Sequence, residues 1–145
     1  MIRTIFHIIL LLLGSAISLD AQNVEVIIKG IKSEKGQIVI GIFKDQETFR
    51  TEEAFLSKSF PKANIVNKEM KIKMTLEPGT YGLSLLDDEN MSSLMEYNFI
   101  GMPKEGFGFS DYYHTGITKP KFDDFKFTLY PGQNKTITIK IRYIM

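Results

Sequence analysis

The chain contains no cysteine. That excludes disulfides, thiolate metal sites and cysteine nucleophiles together, and leaves apolar packing to hold the fold. Histidine is nearly as scarce: of two, His7 lies in the N-terminal apolar run, so His114 is the only imidazole of the remainder. A metal site built from several histidines is therefore excluded. No excess of one charge exists either. Eighteen basic and seventeen acidic residues give a formal net charge of +1, and their even spread leaves no footprint for a phosphate backbone, so nucleic acid is not expected as a partner. The sequence also lacks a Gly-x-x-x-x-Gly-Lys cradle, a dinucleotide fingerprint, an internal repeat and a low-complexity tract.

Long hydrophobic runs are missing except at the start. Residues 1–21 open with Arg3, run through Ile5 and Ile8 to Leu13, and end in Gly14, Ser15, Ala16 and Ser18, the layout of a secretory signal peptide. The run is short for a bilayer crossing of ~20 residues, and Asp20 follows it without a basic stop-transfer cluster. Cleavage is expected after Ala21, with cuts after Ala16 or Ser18 as alternatives. The mature part, residues 22–145, would be a single domain with no stable membrane span, either secreted or held in the periplasm or outer cell envelope.

What is present suits a β-domain. With 43% hydrophobic and 12% aromatic residues, 145 residues suffice for one core. Val24, Val26 and Ile28 alternate like a strand with one buried face, and Gln37 to Phe43 is apolar enough for a central strand buried on both faces. These two are expected to pair as a hairpin across residues 33–36. Residues 44–63 read as a crossing loop, with one helical turn over 52–56 and with Phe49, Phe55 and Phe60 plugging the core. Met70, Ile72, Met74 and Leu76 alternate with polar residues, and Tyr81 to Leu86 comes after the turn at Pro78 and Gly79. Phe122, Phe125, Phe127 and Leu129 lead into a further strand. After the Pro131 and Gly132 turn, Ile137, Ile139 and Ile141 form the last. With no long amphipathic helix, this is an all-β chain: an antiparallel sandwich of immunoglobulin-like or transthyretin-like kind, or alternatively a small barrel.

Residues 85–110 break the pattern. They are too many for a hairpin turn and keep no steady period, so a functional loop is expected. Phe99, Ile100, Met102, Phe107 and Phe109 stand among Gly101, Pro103, Gly106 and Gly108, which reads as aromatic anchors on bent backbone. Asp87, Asp88, Glu89 and Glu96 crowd four carboxylates together, repulsive unless solvated, paired with Lys104 or neutralised by a cation. Tyr112, Tyr113 and His114 are the candidates for an exposed recognition surface, since tyrosine offers an apolar face with a polar tip. Glu105 is expected to hold backbone amides of its own glycine-rich loop. A Ser110, His114 and Asp111 triad or a Glu105 and Asp88 acid pair would be needed for hydrolysis, but the serine sits in no nucleophile elbow, and no enzymatic activity is expected.

Three pieces in this order, Gly36 to Phe43, Leu76-Glu77-Pro78-Gly79-Thr80-Tyr81, and Gly101-Met102-Pro103-Lys104-Glu105-Gly106-Phe107-Gly108-Phe109-Ser110, resemble the secreted bacterial family termed domain of unknown function 2141, common among Bacteroidota. The resemblance implies a small exported β-sandwich and supplies no catalytic residues. In that family a calcium-like pattern of alternating oxygen ligands comes after the PGTY piece. Here Asp88 and Asn90 keep two ligand types, Glu96 stands for an aspartate, Ser92 for an asparagine and Ser93 for the turn glycine. The resemblance thus makes Asp88, Asn90 and Glu96 the residues of a possible calcium site, with a solvated acidic loop as the other reading. The leading expectation is an exported, non-enzymatic binding or structural module of the cell envelope. Its loop 87–114, with Glu105, Tyr112, Tyr113 and His114, would meet a glycan, peptide or envelope protein.

Overall fold

The computed structural model describes residues 23–144; the expected signal peptide lies outside them. The described chain is a two-sheet β-sandwich. Strand β1 (Val24–Lys29) is central in the smaller sheet. In the larger sheet, β2 (Gln37–Phe43) lies between β3 (Leu56–Pro61) and β5 (Gly79–Asp88). The flanks of β1 are β4 (Glu69–Met74), antiparallel, and β8 (Lys135–Lys140), parallel. The free edge of β5 is shared end to end by β6 (Gly106–Phe109) and β7 (Lys126–Leu129).

The expected hairpin of the first two strands is therefore not formed. β1 has one polar face and suits a sheet with one wet side, whereas β2 is apolar on both faces and has to lie where both are covered. The connection carries the chain across: Gly30 and Ile31 both donate to the Lys68 carbonyl at 3.0 Å, and Ile31 is buried.

Alternation then builds the main core. Val26, Ile28, Ile72, Ile137 and Ile139 of the smaller sheet meet Ile38, Ile40, Ile42, Leu83 and Leu85 of the larger. Each such aliphatic side chain stabilises the fold by about 1.5–3 kcal/mol when buried. A second apolar layer covers the outer face of the larger sheet, where Phe43, Phe49, Phe107, Phe109, Phe122 and Phe125 cluster. Successive edge-to-face contacts, such as Phe43 with Phe49 at 5.2 Å and Phe49 with Phe125 at 4.8 Å, knit it together.

This layer accounts for the remaining departures from expectation. The helix between β2 and β3 is α1 (Gln46–Thr51), starting six residues earlier than expected, because Asp45 caps it through the Thr48 amide at 2.8 Å. It places Phe49 on the sheet and stops at Glu52, whose φ is 62°. Of the three phenylalanines expected to plug the core, Phe49 is buried, Phe60 packs partly against the main core, and Phe55 is 57% exposed. Directly after Phe55 the chain enters β3, an edge strand with little burial to impose a pattern. Phe122 and Phe125 lie on the short helix α2 (Phe122–Phe125) rather than in a strand, both facing the same way. Gly82 permits this, because a Cβ there would lie 2.4 Å from the Phe125 ring.

The end of the long segment is a strand as well. In β6, Phe107 and Phe109 stand opposite Leu86 and Ser84 and join the outer layer. Gly106 and Gly108 face inward, where a Cβ would strike Ile139, Ile141 or Tyr143. The alternation of glycine and phenylalanine is thus a period-two pattern with one closely packed face. Ser110 extends it: its amide donates to the Leu83 carbonyl, and its hydroxyl donates to Phe125 O at 2.6 Å while accepting from Leu83 N.

Candidate functional site

Strand β5 ends in two buried aspartates that point to opposite sides of the sheet. Asp87 faces inward, where Lys62 forms a fully buried ion pair with it and the Tyr143 hydroxyl donates to it. Burial and this hydrogen bond push the Tyr143 phenol well above its ordinary range. Asp88 faces outward and accepts from Gln37 Nε2 at 2.7 Å and from the Ser92 and Ser93 amides at 2.9 Å each. The turn after β5 is wound about this carboxylate, with Met91 and Ser93 at positive φ.

Asn90 and Glu96 lie beside it. Asn90 donates to Glu96 Oε1 at 2.9 Å and shares the Ser92 amide with Asp88. The three residues of the expected calcium site are therefore neighbours, but protein donors occupy their oxygens. Among the described residues no group of three or more acids, histidines or cysteines is arranged to hold a metal ion. Glu105 adjoins the cluster, and burial, then the charges of Asp88, Glu96 and Asp87, raise its carboxyl above the ordinary glutamate value. The amide that reaches it belongs to Glu89 and not to its own glycine-rich loop, and its Oε2 is buried without a partner among the described residues.

Residues 96–104 form a small hairpin instead of an irregular loop. Tyr97 and Pro103 bridge, and the Lys104 amide donates to Glu96 O at 2.9 Å. At the tip the Asn98 side-chain oxygen accepts from the Ile100 and Met102 amides, which turns Phe99 and Ile100 outward; Phe99 is 99% exposed.

This hairpin and residues 114–120 roof a cavity of about 300 Å³ on the outer face of the larger sheet. Gly41 in β2 has Ser57 opposite it in β3 and Ser84 opposite it in β5, so a row of small residues crosses three strands. The row forms the floor. Phe43 and Phe49 close one flank, Val39 and Leu86 the other, and Phe107 and Phe109 the far end. At the mouth, Glu52 Oε1 accepts from the Tyr97 hydroxyl at 2.8 Å and from Lys119 Nζ at 2.9 Å, while Lys119 also donates to Phe49 O. Burial by itself would raise the Glu52 carboxyl; the hydrogen bonds from Lys119 and Tyr97, with the lysine charge, overcome it and hold it below its ordinary value. Burial and Glu52 together push the Tyr97 phenol upward.

The four residues expected to meet a partner are divided. Tyr113 is exposed, beneath the Lys140 ammonium at 4.9 Å from its ring. Tyr112 packs partly against the phenylalanine layer, and His114 lines the cavity with its ring edge-on to Phe109. The Thr118 carbonyl can only accept, so His114 Nε2 carries a proton and Nδ1 faces the Tyr112 hydroxyl. Glu105 lies in the acidic corner, away from the cavity lining. Ser110, Asp111 and His114 form no triad, since Asp111 accepts from the Thr138 amide at 2.8 Å and Ser110 is tied to Leu83 and Phe125.

Sequence reading missed Gly41, Ser84, Glu52, Tyr97 and Lys119. For Gly41 a signal exists: glycine inside an otherwise β-branched strand marks a close approach of backbone or ligand.

The model of the bacterial family described as "Uncharacterized protein conserved in bacteria (DUF2141)" matches residues 26–138. The chain belongs to DUF2141. No curated protein and no solved structure matches it. The matched span runs from β1 into β8 and includes the cavity floor, both roof segments and the acidic corner of this DUF2141 chain.

Proposed function

We propose that this DUF2141 chain is an exported, non-enzymatic binding module of the cell envelope that holds its partner between the loop 87–114 and the outer face of the larger sheet. One observation carries this reading: the hairpin 96–104 and residues 114–120 stand off the sheet over an open-mouthed cavity of about 300 Å³. The setting is an apolar enclosure with a few convergent polar groups, the usual make-up of a small-molecule site. Export is supported by the composition of residues 1–21. Of the expected partners, a glycan, peptide or envelope component would enter by an end group small enough for the space.

The test is a set of thermal melts against small glycans, short peptides and envelope extracts, run on the wild-type chain and on Ser84→Leu, which fills the floor. Midpoints that rise for the wild type and not for the variant are expected, because a native-state ligand stabilises by mass action. Equal shifts in both proteins would overturn the reading. The repulsion that Glu105 suffers from Asp88, Glu96 and Asp87 favours a second reading, a calcium-binding accessory domain using Asp88, Asn90 and Glu96. A midpoint raised by millimolar calcium and restored by chelator is its expected mark.

A further inference from the structure

The cavity's size, outline and charge restrict what can occupy it. At roughly 30 Å³ for each water-sized group, about 300 Å³ has room for about ten non-hydrogen atoms. That is a small molecule or one end group, not a folded segment. The floor across Ser57, Gly41 and Ser84 spans two inter-strand spacings, roughly 10 Å, and is shallowest in side chain at its middle. Gly41 is there for a reason: a Cβ at this position would meet the Ser84 hydroxyl at 2.9 Å and the Phe43 ring at 3.1 Å. A flat or slim apolar body lying over the glycine, between phenylalanine edges, fits this slot.

Charge decides the rest. Among the described residues the lining carries one carboxylate, Glu52, and one ammonium, Lys119, and the two are bound to each other at the mouth. His114 directs its ring nitrogens to Thr118 and Tyr112. No opposite charge of the described lining remains inside to receive an ionised group, and burying an ion without a partner is strongly unfavourable. The Ser57 and Ser84 hydroxyls offer polar contact without charge. Resting on the reading of loop and sheet as a binding site, we infer that the cavity takes an uncharged, mainly apolar molecule or end group of about ten non-hydrogen atoms, with one hydroxyl or carbonyl directed at the serines.

Three probes with one apolar body separate the possibilities: 2-phenylethanol, phenylacetate and phenethylamine. Their affinities are measured by titration of the full chain at about pH 8, above the ordinary range of imidazole, with amide shifts mapped in the same samples. 2-Phenylethanol is expected to bind, with shifts centred on Gly41, Ser57 and Ser84, and both ions to bind about tenfold or more weakly. Ser84→Val should abolish the alcohol's binding. The wild-type shift map serves as the check should that variant unfold. Glu52→Gln, which removes the charge balancing Lys119, should favour phenylacetate over phenethylamine. If either ion binds at these residues as tightly as the alcohol, the uncharged class is overturned and the binding site stands. If no probe shifts the floor residues, or the alcohol binds elsewhere, the inference falls; the thermal melts of glycans, peptides and extracts decide separately whether the site itself falls.

Discussion

At the scale of single residues, the acidic corner shows how one carboxylate differs from its neighbours. Asp87 has Lys62 and Tyr143, and Asp88 has Gln37 and two amides. For Glu105, burial and three nearby negative charges outweigh the Glu89 amide, so its folded-state carboxyl titrates above the ordinary value of 4.5. A raised carboxyl favours the protonated form in the folded state. Its contribution is fully present below the unfolded value and is lost as pH rises through the folded one. Glu105→Gln imitates the protonated group, so it should raise the melting midpoint at neutral pH, and the advantage over wild type should vanish below pH 4.5. Paired melts across pH check this; a constant difference would show that ionisation of Glu105 is not the cause. The acids of this corner were plain in the sequence. Their partners were not, because Gln37 and Tyr143 stand 51 and 56 positions from the aspartates they serve, and local pattern carries no information at that range.

At the scale of elements, strands were legible where one face is wet or where the apolar run is unbroken, and hidden where little burial sets a period or glycine interrupts the pattern. β1, β4 and β8 announce themselves by alternation, and β2 by its unbroken apolar run. β3 has too little burial to impose a period, and β6 was obscured because glycine in a strand usually signals a break. Here Gly106 and Gly108 are the alternate, inward positions of a regular strand, set against Ile139, Ile141 and Tyr143. Gly108→Ala brings a methyl group to within 2.5 Å of the Ile139 side chain and 2.9 Å of the Lys140 carbonyl. Backbone cannot step aside, so a loss of ~1–3 kcal/mol is expected, as for other overpacked sites. Gly101→Ala is the control: its φ is +79° with nothing within 4 Å, so only the left-handed backbone penalty of ~1–2 kcal/mol applies. Denaturant unfolding of both variants measures the difference. If the loss is the smaller for Gly108→Ala, the close packing of β6 on the end of β8 is not what the glycines serve.

At the scale of the whole molecule, Glu52, Tyr97 and Lys119 come from three separate segments and meet at one carboxylate. The end of α1, the hairpin 96–104 and the chain leading to α2 are thereby fastened to one another across the cavity mouth. Such a junction is invisible in sequence, since Tyr97 and Lys119 stand 45 and 67 positions from Glu52, and each reads as an isolated surface polar residue. Its energy is modest. Both charged groups are partly exposed, with side-chain accessibilities of 38% for Lys119 and 52% for Glu52, and such pairs contribute ~1 kcal/mol or less. The fold does not depend on it: the main core lies on the other face of the larger sheet, and the roof hairpin 96–104 contributes no residue to either apolar cluster. A fastening of that strength sets how often the roof opens rather than whether the sandwich forms, because local opening needs far less free energy than global unfolding. Tyr97→Phe removes one hydrogen bond and keeps the ring. Amide exchange should therefore quicken over residues 93–105 while the strands of the smaller sheet keep their protection, and the global stability should fall by no more than ~1 kcal/mol. Uniform loss of protection across both sheets would mean that the roof and the sandwich unfold as one unit, and that the cavity opens only when the whole domain does.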